Sequence, residues 1–157
     1  MNLTPLLAQH ILETFEGNNW TDVNIKATLQ DVTCKEAATV IAATQNSIAA
    51  LTYHLQFYNE IVLERLKGNS PAIDDTNGFN VVQPTSEEEW KALQNQCSQS
   101  FHALSDAVKL IPDEKLWQLA PNSENTFYKT LHGIAEHAHY HLGQIVLLKK
   151  VIRKNFD

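Results

Sequence analysis

The stretch that decides the fold is residues 131–145, LHGIAEHAHYHLGQI. At about 100° per residue in an α-helix, His137 and His141 lie roughly 40° apart, on a stripe that also holds Ile134 and Ile145. This periodicity predicts a long amphipathic helix near the C-terminus. Its core-facing side carries two histidines one turn apart.

Working outward, three further stretches repeat apolar residues at helical spacing, with N-cap residues before them and Gly or Pro after them. The four predicted long helices cover residues 4–17, 46–68, 86–112 and 125–153. Thr4 is the expected N-cap of the first helix, and Thr33 with Glu36 forms a capping box for one of two short helices in the next connection. Residues 69–84 are rich in Asn, Asp, Gly and Pro, which predicts a long crossing loop that can join two parallel neighbouring helices. The predicted fold class is all-α, a four-helix bundle with short extra helices in the connections, in one domain over residues 1–157.

Composition excludes several functional classes. The net charge is -6 and no large Lys/Arg cluster occurs, so we expect no nucleic-acid partner. The longest apolar stretch is far below the roughly 20 residues that cross a bilayer, and the N-terminus does not resemble a secretion signal. Cys34 and Cys97 lie outside any CxxC pair, which favours two free thiols. We therefore expect a cytoplasmic protein without a membrane partner.

The core-facing histidines are candidate metal ligands. Imidazoles at positions i and i+4, such as His137 and His141, can reach one ion, and a third ligand must come from another element. His54 is the best candidate because it lies in the middle of the apolar stripe of the second long helix, whereas His10 and His102 are weaker candidates. A shared divalent ion would satisfy the acceptor nitrogens of all three rings. The alternative is three core histidines, each satisfied by one hydrogen bond.

Two other metal-site architectures lack their motifs. His132 and His139 lie on nearly the opposite side of the last helix, where we expect a solvated or subunit-contact face. Glu136 and His139 form a single ExxH pair, whereas a ferritin-like di-iron site needs two such pairs and two further Glu residues. The HExxH motif of zinc proteases does not occur.

The sequence resembles the DinB superfamily, whose members are also called DinB/YfiT-like. The resemblance runs from about Trp20 to the C-terminus. It rests on two groups of residues: Leu131 to Ile134, His137, Tyr140, His141 and Gly143 to Ile145 in the last helix, and Asn46 to Ile48, His54, Arg65 and Leu66 in the second. Ala49 departs from the family pattern, in which a bulky residue, often Trp, follows the equivalent of Ile48.

This resemblance implies a bundle of unusual, mirror-like up-and-down topology, which is often a homodimer. It also implies that His54, His137 and His141 bind one divalent transition metal, usually nickel or zinc, with iron and manganese as alternatives. Family members of known activity act on low-molecular-weight thiols such as bacillithiol or mycothiol. The implied function is a metal-dependent hydrolase or thiol S-transferase with a small-molecule substrate. The alternative is a non-enzymatic interaction protein with a structural or vestigial metal.

Two residues near the predicted ligands have candidate supporting roles. Gln144 follows His141 by one turn and can hydrogen-bond a ligand ring or a bound water. Tyr58 follows His54 by one turn and can orient a substrate or donate a proton, while packing against a neighbouring helix is the alternative for both. An enzyme also needs an accessible pocket over the metal, lined by the second and last helices. A structural ion would instead be closed by a fourth protein ligand.

Overall fold

The computed structural model describes residues 2–154 and consists of helices and connections. The helices are α1 (Leu3–Phe15), α2 (Ile25–Leu29), α3 (Cys34–Ala38), α4 (Ile48–Leu66), α5 (Glu87–Leu110) and α6 (Phe127–Lys154), with a 3-10 turn at Asp113–Trp117 between the last two. Over this range there is no strand, only two isolated bridge pairs. The predicted all-α fold class is confirmed, and α1, α4, α5 and α6 correspond to the four predicted long helices. No helix in the described residues is long and apolar enough to span a bilayer.

The 3-10 turn marks one end of the bundle and reveals the helix directions. The Lys115 amino group donates to the carbonyl of Leu66, the last residue of α4, at 2.7 Å and lies 5.2 Å from the ring centre of Phe127, the first residue of α6. At the other end, the Ser47 hydroxyl before α4 donates to the Gln83 side chain before α5 at 2.8 Å. Hence α4 and α5 run parallel, joined by the predicted crossing loop, and α6 runs antiparallel to both.

The core lies between the four long helices, which pack against one another in four pairwise contacts. Helix α1 packs against α5 and α6, and α4 packs against the same two helices. The rings of Phe15 and Phe101 stack with centres 5.1 Å apart between α1 and α5. Trp90 of α5 is fully buried, and its indole N–H donates to the Val32 carbonyl at 2.7 Å. This bond holds the connection between α2 and α3 against the bundle.

The start of α1 differs from the prediction. The helix begins at Leu3, so Thr4 is not its N-cap, and the Asn2 side chain forms no cap hydrogen bond. Instead, the carboxylate of Asp113 accepts bonds from the backbone N–H of Leu3 at 2.8 Å and of Thr4 at 3.1 Å. A negative charge at a helix N-terminus is stabilising, and here a residue distant in sequence supplies it. By contrast, the predicted capping box of Thr33 and Glu36 is present.

Both cysteines are free and buried. Cys34 donates its thiol to the Pro84 carbonyl at 3.3 Å, and burial raises its pKa. Cys97 is fully enclosed in the core, where burial raises its pKa to about 12. The prediction of two free thiols is confirmed, and neither thiol is poised to react.

Candidate metal centre

The structure brings the three predicted histidines together between α4 and α6. The Nε2 atom of His137 lies 2.9 Å from Nε2 of His54 and 3.0 Å from Nε2 of His141. One nitrogen from each ring lies within 4.8 Å of the other two. His54 and His141 are buried, with 2% and 6% of their surface exposed, and His137 is half-buried.

The hydrogen bonds of the Nδ1 atoms determine which nitrogen of each imidazole is free to bind a metal. Nδ1 of His54 lies 2.8 Å from the Asn77 carbonyl, which can only accept, so Nδ1 carries the proton. Nδ1 of His141 lies 2.7 Å from Oε1 of Gln144 and likewise donates. Both Nε2 atoms therefore present lone pairs. His137 Nε2 carries at most one hydrogen, so the three rings alone leave an acceptor unsatisfied.

A short segment of the crossing loop forms one wall of the cluster. The Phe79 ring stacks on His54 with centres 3.9 Å apart, and the Tyr58 hydroxyl donates to the Asn77 side chain. Gly78, between these loop residues, has φ +71°, and a Cβ atom there would lie 2.5 Å from the ring of Phe57. Only glycine fits this left-handed turn against the ring, so the loop holds the Asn77 carbonyl at His54.

The histidines are neutral at physiological pH. Burial lowers the pKa of His54 to about 4 and that of His137 to about 3, and repulsion from neighbouring rings adds to both shifts. Burial also lowers the pKa of His141. Neutral imidazole is the form that binds metal ions, so the cluster is ready to bind one without first losing protons.

The donor set fits a single divalent ion. Two imidazole nitrogens bound to one ion at about 2.1 Å lie about 3.0–3.4 Å apart for angles between about 90° and 110°. The Nε2 separations are 2.9 Å, just below that range, and 3.0 Å, at its lower limit, so a bound ion requires only a small outward shift of the rings. Among residues 2–154, the ligand cluster holds three side chains and no fourth His, Cys, Asp or Glu. Three side-chain ligands would leave further coordination positions of a bound ion for other donors.

A cavity of about 670 Å³ opens over the cluster between α4, α6 and the loop. The three histidines are part of its wall, together with Asn77 and Phe79. The predicted accessible pocket, lined by the second and last long helices, is therefore present. Its size is within the usual range for small-molecule sites.

Comparison with protein families agrees with this architecture. The family model of the DinB superfamily matches residues 19–145, which is most of the chain. The chain belongs to the DinB superfamily. Comparison with curated proteins gave no match, and comparison with solved structures gave none either. The resemblance stated from the sequence is thus confirmed, and family membership together with the three-histidine cluster indicates a DinB-like protein able to bind a metal.

The two supporting residues of this DinB site are both at the cavity wall. Gln144 hydrogen-bonds His141, as described above, and lines the cavity. The Tyr58 ring meets the rings of His54 and His137 edge-on, each with centres 4.9 Å apart, while its hydroxyl bonds Asn77. Tyr58 therefore contacts two of the candidate ligands and the loop that orients one of them.

We expect Gln144→Leu to weaken metal binding by this DinB protein about 10- to 100-fold, because the His141 ring loses the partner that fixes its orientation. Thermal stability should change little, since Gln144 is only half-buried. Titration with nickel or zinc by isothermal calorimetry would measure the affinity. Gln144→Glu, which keeps an acceptor for Nδ1–H, is the matched control and should retain most of it.

The DinB chain freed of metal should lose stability as pH falls below about 6.5. The folded pKa values of His54 and His137 lie below 6.5, so at intermediate pH the unfolded chain binds protons that the folded chain does not. Its free energy of unfolding therefore decreases with falling pH, down to about pH 3–4. Melting curves at about pH 7 and pH 5 test this. His54→Asn should show a smaller decrease, and an equal decrease would contradict the assignment.

The remaining histidines lie outside the cluster. His132 lies 3.3 Å from the Glu136 carboxylate and its ring is 6.0 Å from that of His10, so this side of α6 faces α1. His139 bonds the Ala135 carbonyl through Nδ1 at 3.0 Å, but its Nε2 is buried without a partner. The face expected to be solvated or in contact with a subunit is thus only partly solvated, because part of it packs near α1. His102 pairs with Glu16 on the surface at 3.0 Å.

Proposed function

We propose that this DinB-superfamily protein holds one divalent transition metal on His54, His137 and His141 and uses it as an enzyme of the thiol S-transferase type. Nickel or zinc is the proposed ion, with iron and manganese as alternatives. The observation that carries the proposal is the convergence of three Nε2 atoms on the wall of an open cavity. The open wall favours a catalytic site over the alternative of a structural ion in an interaction protein.

The charge of the site suits an anionic reactant. Three neutral imidazoles leave the charge of a divalent ion uncompensated, which favours an anion beside it. The bound ion would lower the pKa of a thiol or water brought to it, so that the attacking group forms at neutral pH. Soft sulfur ligands match nickel and zinc well, which supports a thiol.

The chain's own residues orient this chemistry. Asn77 and Gln144 hold the Nδ1–H groups of two histidines, so that the Nε2 atoms stay unprotonated. Phe79 covers the face of His54 and limits water access from the loop side. The cavity between α4 and α6 admits the substrate. In the proposed transfer the thiol loses its proton to solvent, the sulfur forms a bond to an electrophilic carbon, and the leaving group departs with the bonding electron pair.

The test compares metal-free protein with protein reloaded with nickel or zinc. Conjugation of small thiols, including cysteine and bacillithiol, to an activated aryl chloride would be followed by thioether absorbance. We expect turnover only in the metal-loaded protein. Hydrolysis of a nitrophenyl ester without thiol would instead identify a metal-dependent hydrolase. A metal-loaded protein inactive in both assays would favour the non-enzymatic alternative.

We also infer that the protein is a homodimer in a reducing compartment such as the cytoplasm. Exposed apolar side chains on α6 support the dimer, since Tyr140, Leu147 and Val151 recur at helical spacing with 65%, 64% and 41% of their surface exposed. The free, buried cysteines support the compartment. Light scattering on the purified chain would measure the mass, and a monomer at micromolar concentration would reject the dimer.

A further inference from the structure

The end of the cavity away from the three histidines carries two positively charged side chains that form no ion pair. Arg65 of α4 and Lys129 of α6 both line the cavity that holds the three histidines. Among residues 2–154, no carboxylate pairs with either side chain, and neither donates a side-chain hydrogen bond. The Arg65 Nε atom is buried without an acceptor. A half-buried arginine without a counter-ion costs free energy, so its place on a cavity wall points to a ligand.

Acidic residues near these cations are engaged elsewhere. Glu64, next to Arg65 in sequence, accepts from the Lys67 amino group and the Asn69 amide, each at 2.6 Å. Glu136 lines the cavity but lies beside His132. Among residues 2–154, neither carboxylate forms an ion pair with Arg65 or Lys129.

The α4 side of the cavity is a continuous stripe. His54, Tyr58, Val62 and Arg65 recur every three or four residues and all line the cavity. Arg65 lies eleven residues beyond His54, or about 16 Å of helix rise. The metal cluster and the arginine thus mark two ends of one groove.

The α6 side is a matching stripe in the opposite direction. Lys129, Gly133, His137 and His141 recur every four residues along α6 and line the same cavity. Because α6 is antiparallel to α4, Lys129 lies at the Arg65 end. Gly133 lies midway, and a Cβ atom there would meet nothing within 4 Å, so the groove is open between its ends.

We propose that this groove binds an elongated substrate whose terminal oxyanion, a carboxylate or a phosphate, pairs with Arg65 and Lys129 while its reacting end lies at the histidines. The inference rests on the proposed function for the reacting end. The arginine fork and the lysine ammonium are the donors that proteins use for carboxylate and phosphate groups.

The first test uses three series of ω-substituted alkanethiols, which carry a carboxylate, a phosphonate or an uncharged hydroxyl opposite the thiol. Binding to the metal-loaded protein would be measured by calorimetry. We expect one of the anionic series to bind at least about tenfold more tightly than the alcohols, with an optimum chain length. The stronger anionic series identifies the oxyanion. Equal binding of all three series would overturn the proposal.

Charge variants assign the preference to residues. Arg65→Gln and Lys129→Gln should each remove most of the tenfold preference, because they weaken binding of the anionic series far more than binding of the alcohol series. Lys91→Gln makes the same charge change at an exposed position of α5 outside the cavity wall, and it should keep the preference. A preference that survives in Arg65→Gln, or is lost equally in Lys91→Gln, would overturn the assignment.

The two glycines of α6 offer a steric test. A Cβ atom at Gly133 or at Gly143 meets nothing within 4 Å, but only Gly133 lines the cavity. Gly133→Leu should weaken binding of the long anionic probes at least about tenfold without changing the metal content, because the side chain fills the middle of the groove. Gly143→Leu should change neither. Equal probe binding by both variants would contradict an elongated ligand.

A metal-free measurement separates this inference from the proposed function. Inorganic phosphate should bind the metal-free protein in a saturable way that Arg65→Gln abolishes. If the thiol alcohols fail to bind although phosphate binding depends on Arg65, the metal proposal fails and the anion site stands. If the alcohols bind but neither anionic probes nor phosphate depend on Arg65, the anion site fails and the metal proposal stands.

Discussion

Replacing His137 with alanine is expected to lower the metal content of the purified protein from about one equivalent to nearly none. The Nε2 atom of His137 lies between the Nε2 atoms of His54 and His141, at 2.9 Å and 3.0 Å. Its removal therefore leaves only two ligands for the ion. The affinity for the metal should decrease by more than about 100-fold, because losing only a residue that hydrogen-bonds a ligand already weakens binding about 10- to 100-fold. Elemental mass spectrometry on untagged protein, purified without chelator or added metal, would measure the content.

The matched control is His132→Ala. His132 lies on the same helix and is half-buried, but it contacts Glu136 and His10 rather than the cluster. This variant should keep its metal, and circular dichroism should show both variants to be folded. A His137→Ala protein that retains about one equivalent, or a His132→Ala protein that loses it, would reject the three-histidine site.

Trp90→Ala is expected to lower the free energy of unfolding by about 3–5 kcal/mol. The side chain is fully buried, so truncation removes a large apolar contact and leaves a cavity between α5 and the connection of α2 and α3. It also leaves the Val32 carbonyl without its donor. Urea denaturation followed by circular dichroism would give the difference in free energy.

Trp117→Ala provides the comparison, because Trp117 is 60% exposed and stacks only on Tyr128 among the aromatic rings described. Trp117→Ala should lower the free energy of unfolding by less than about 1 kcal/mol. If Trp90→Ala does not fold, Trp90→Phe still tests the argument, since it keeps most of the apolar volume and should cost about 1–3 kcal/mol through the unsatisfied carbonyl. Equal costs for Trp90→Ala and Trp117→Ala would contradict the packing described.

Periodicity in the sequence predicted most of the fold because each long helix buries one apolar stripe. The same reasoning placed His137 and His141 on the core side of α6 and selected His54 from the middle of α4. A glycine in a helix can mark the close approach of a second helix, but a Cβ atom at Gly133 or Gly143 would meet nothing within 4 Å, so both positions face open space. A glycine in a helix is consistent with either situation, and the sequence alone does not distinguish them.

The parts that sequence reasoning missed depend on contacts between distant segments. Asn77 and Phe79 lie in a loop without periodicity, so no local pattern indicated that they orient and cover His54. Asp113 caps α1 from 110 residues away, and nothing near Leu3 indicated it. Arg65 is part of the family pattern in the second long helix, but the sequence does not show that its side chain lacks an acidic partner, because that depends on where distant carboxylates lie.

The enclosure of Cys34 and Cys97 has a consequence for a protein proposed to handle small thiols. Attack on a disulfide requires a thiolate, and burial keeps both cysteines protonated, with a pKa of about 12 for Cys97. Oxidised forms of the substrate therefore have no protein sulfur with which to form a mixed disulfide. A protein with the proposed activity would therefore resist covalent trapping by disulfides when the redox state of the thiol pool changes.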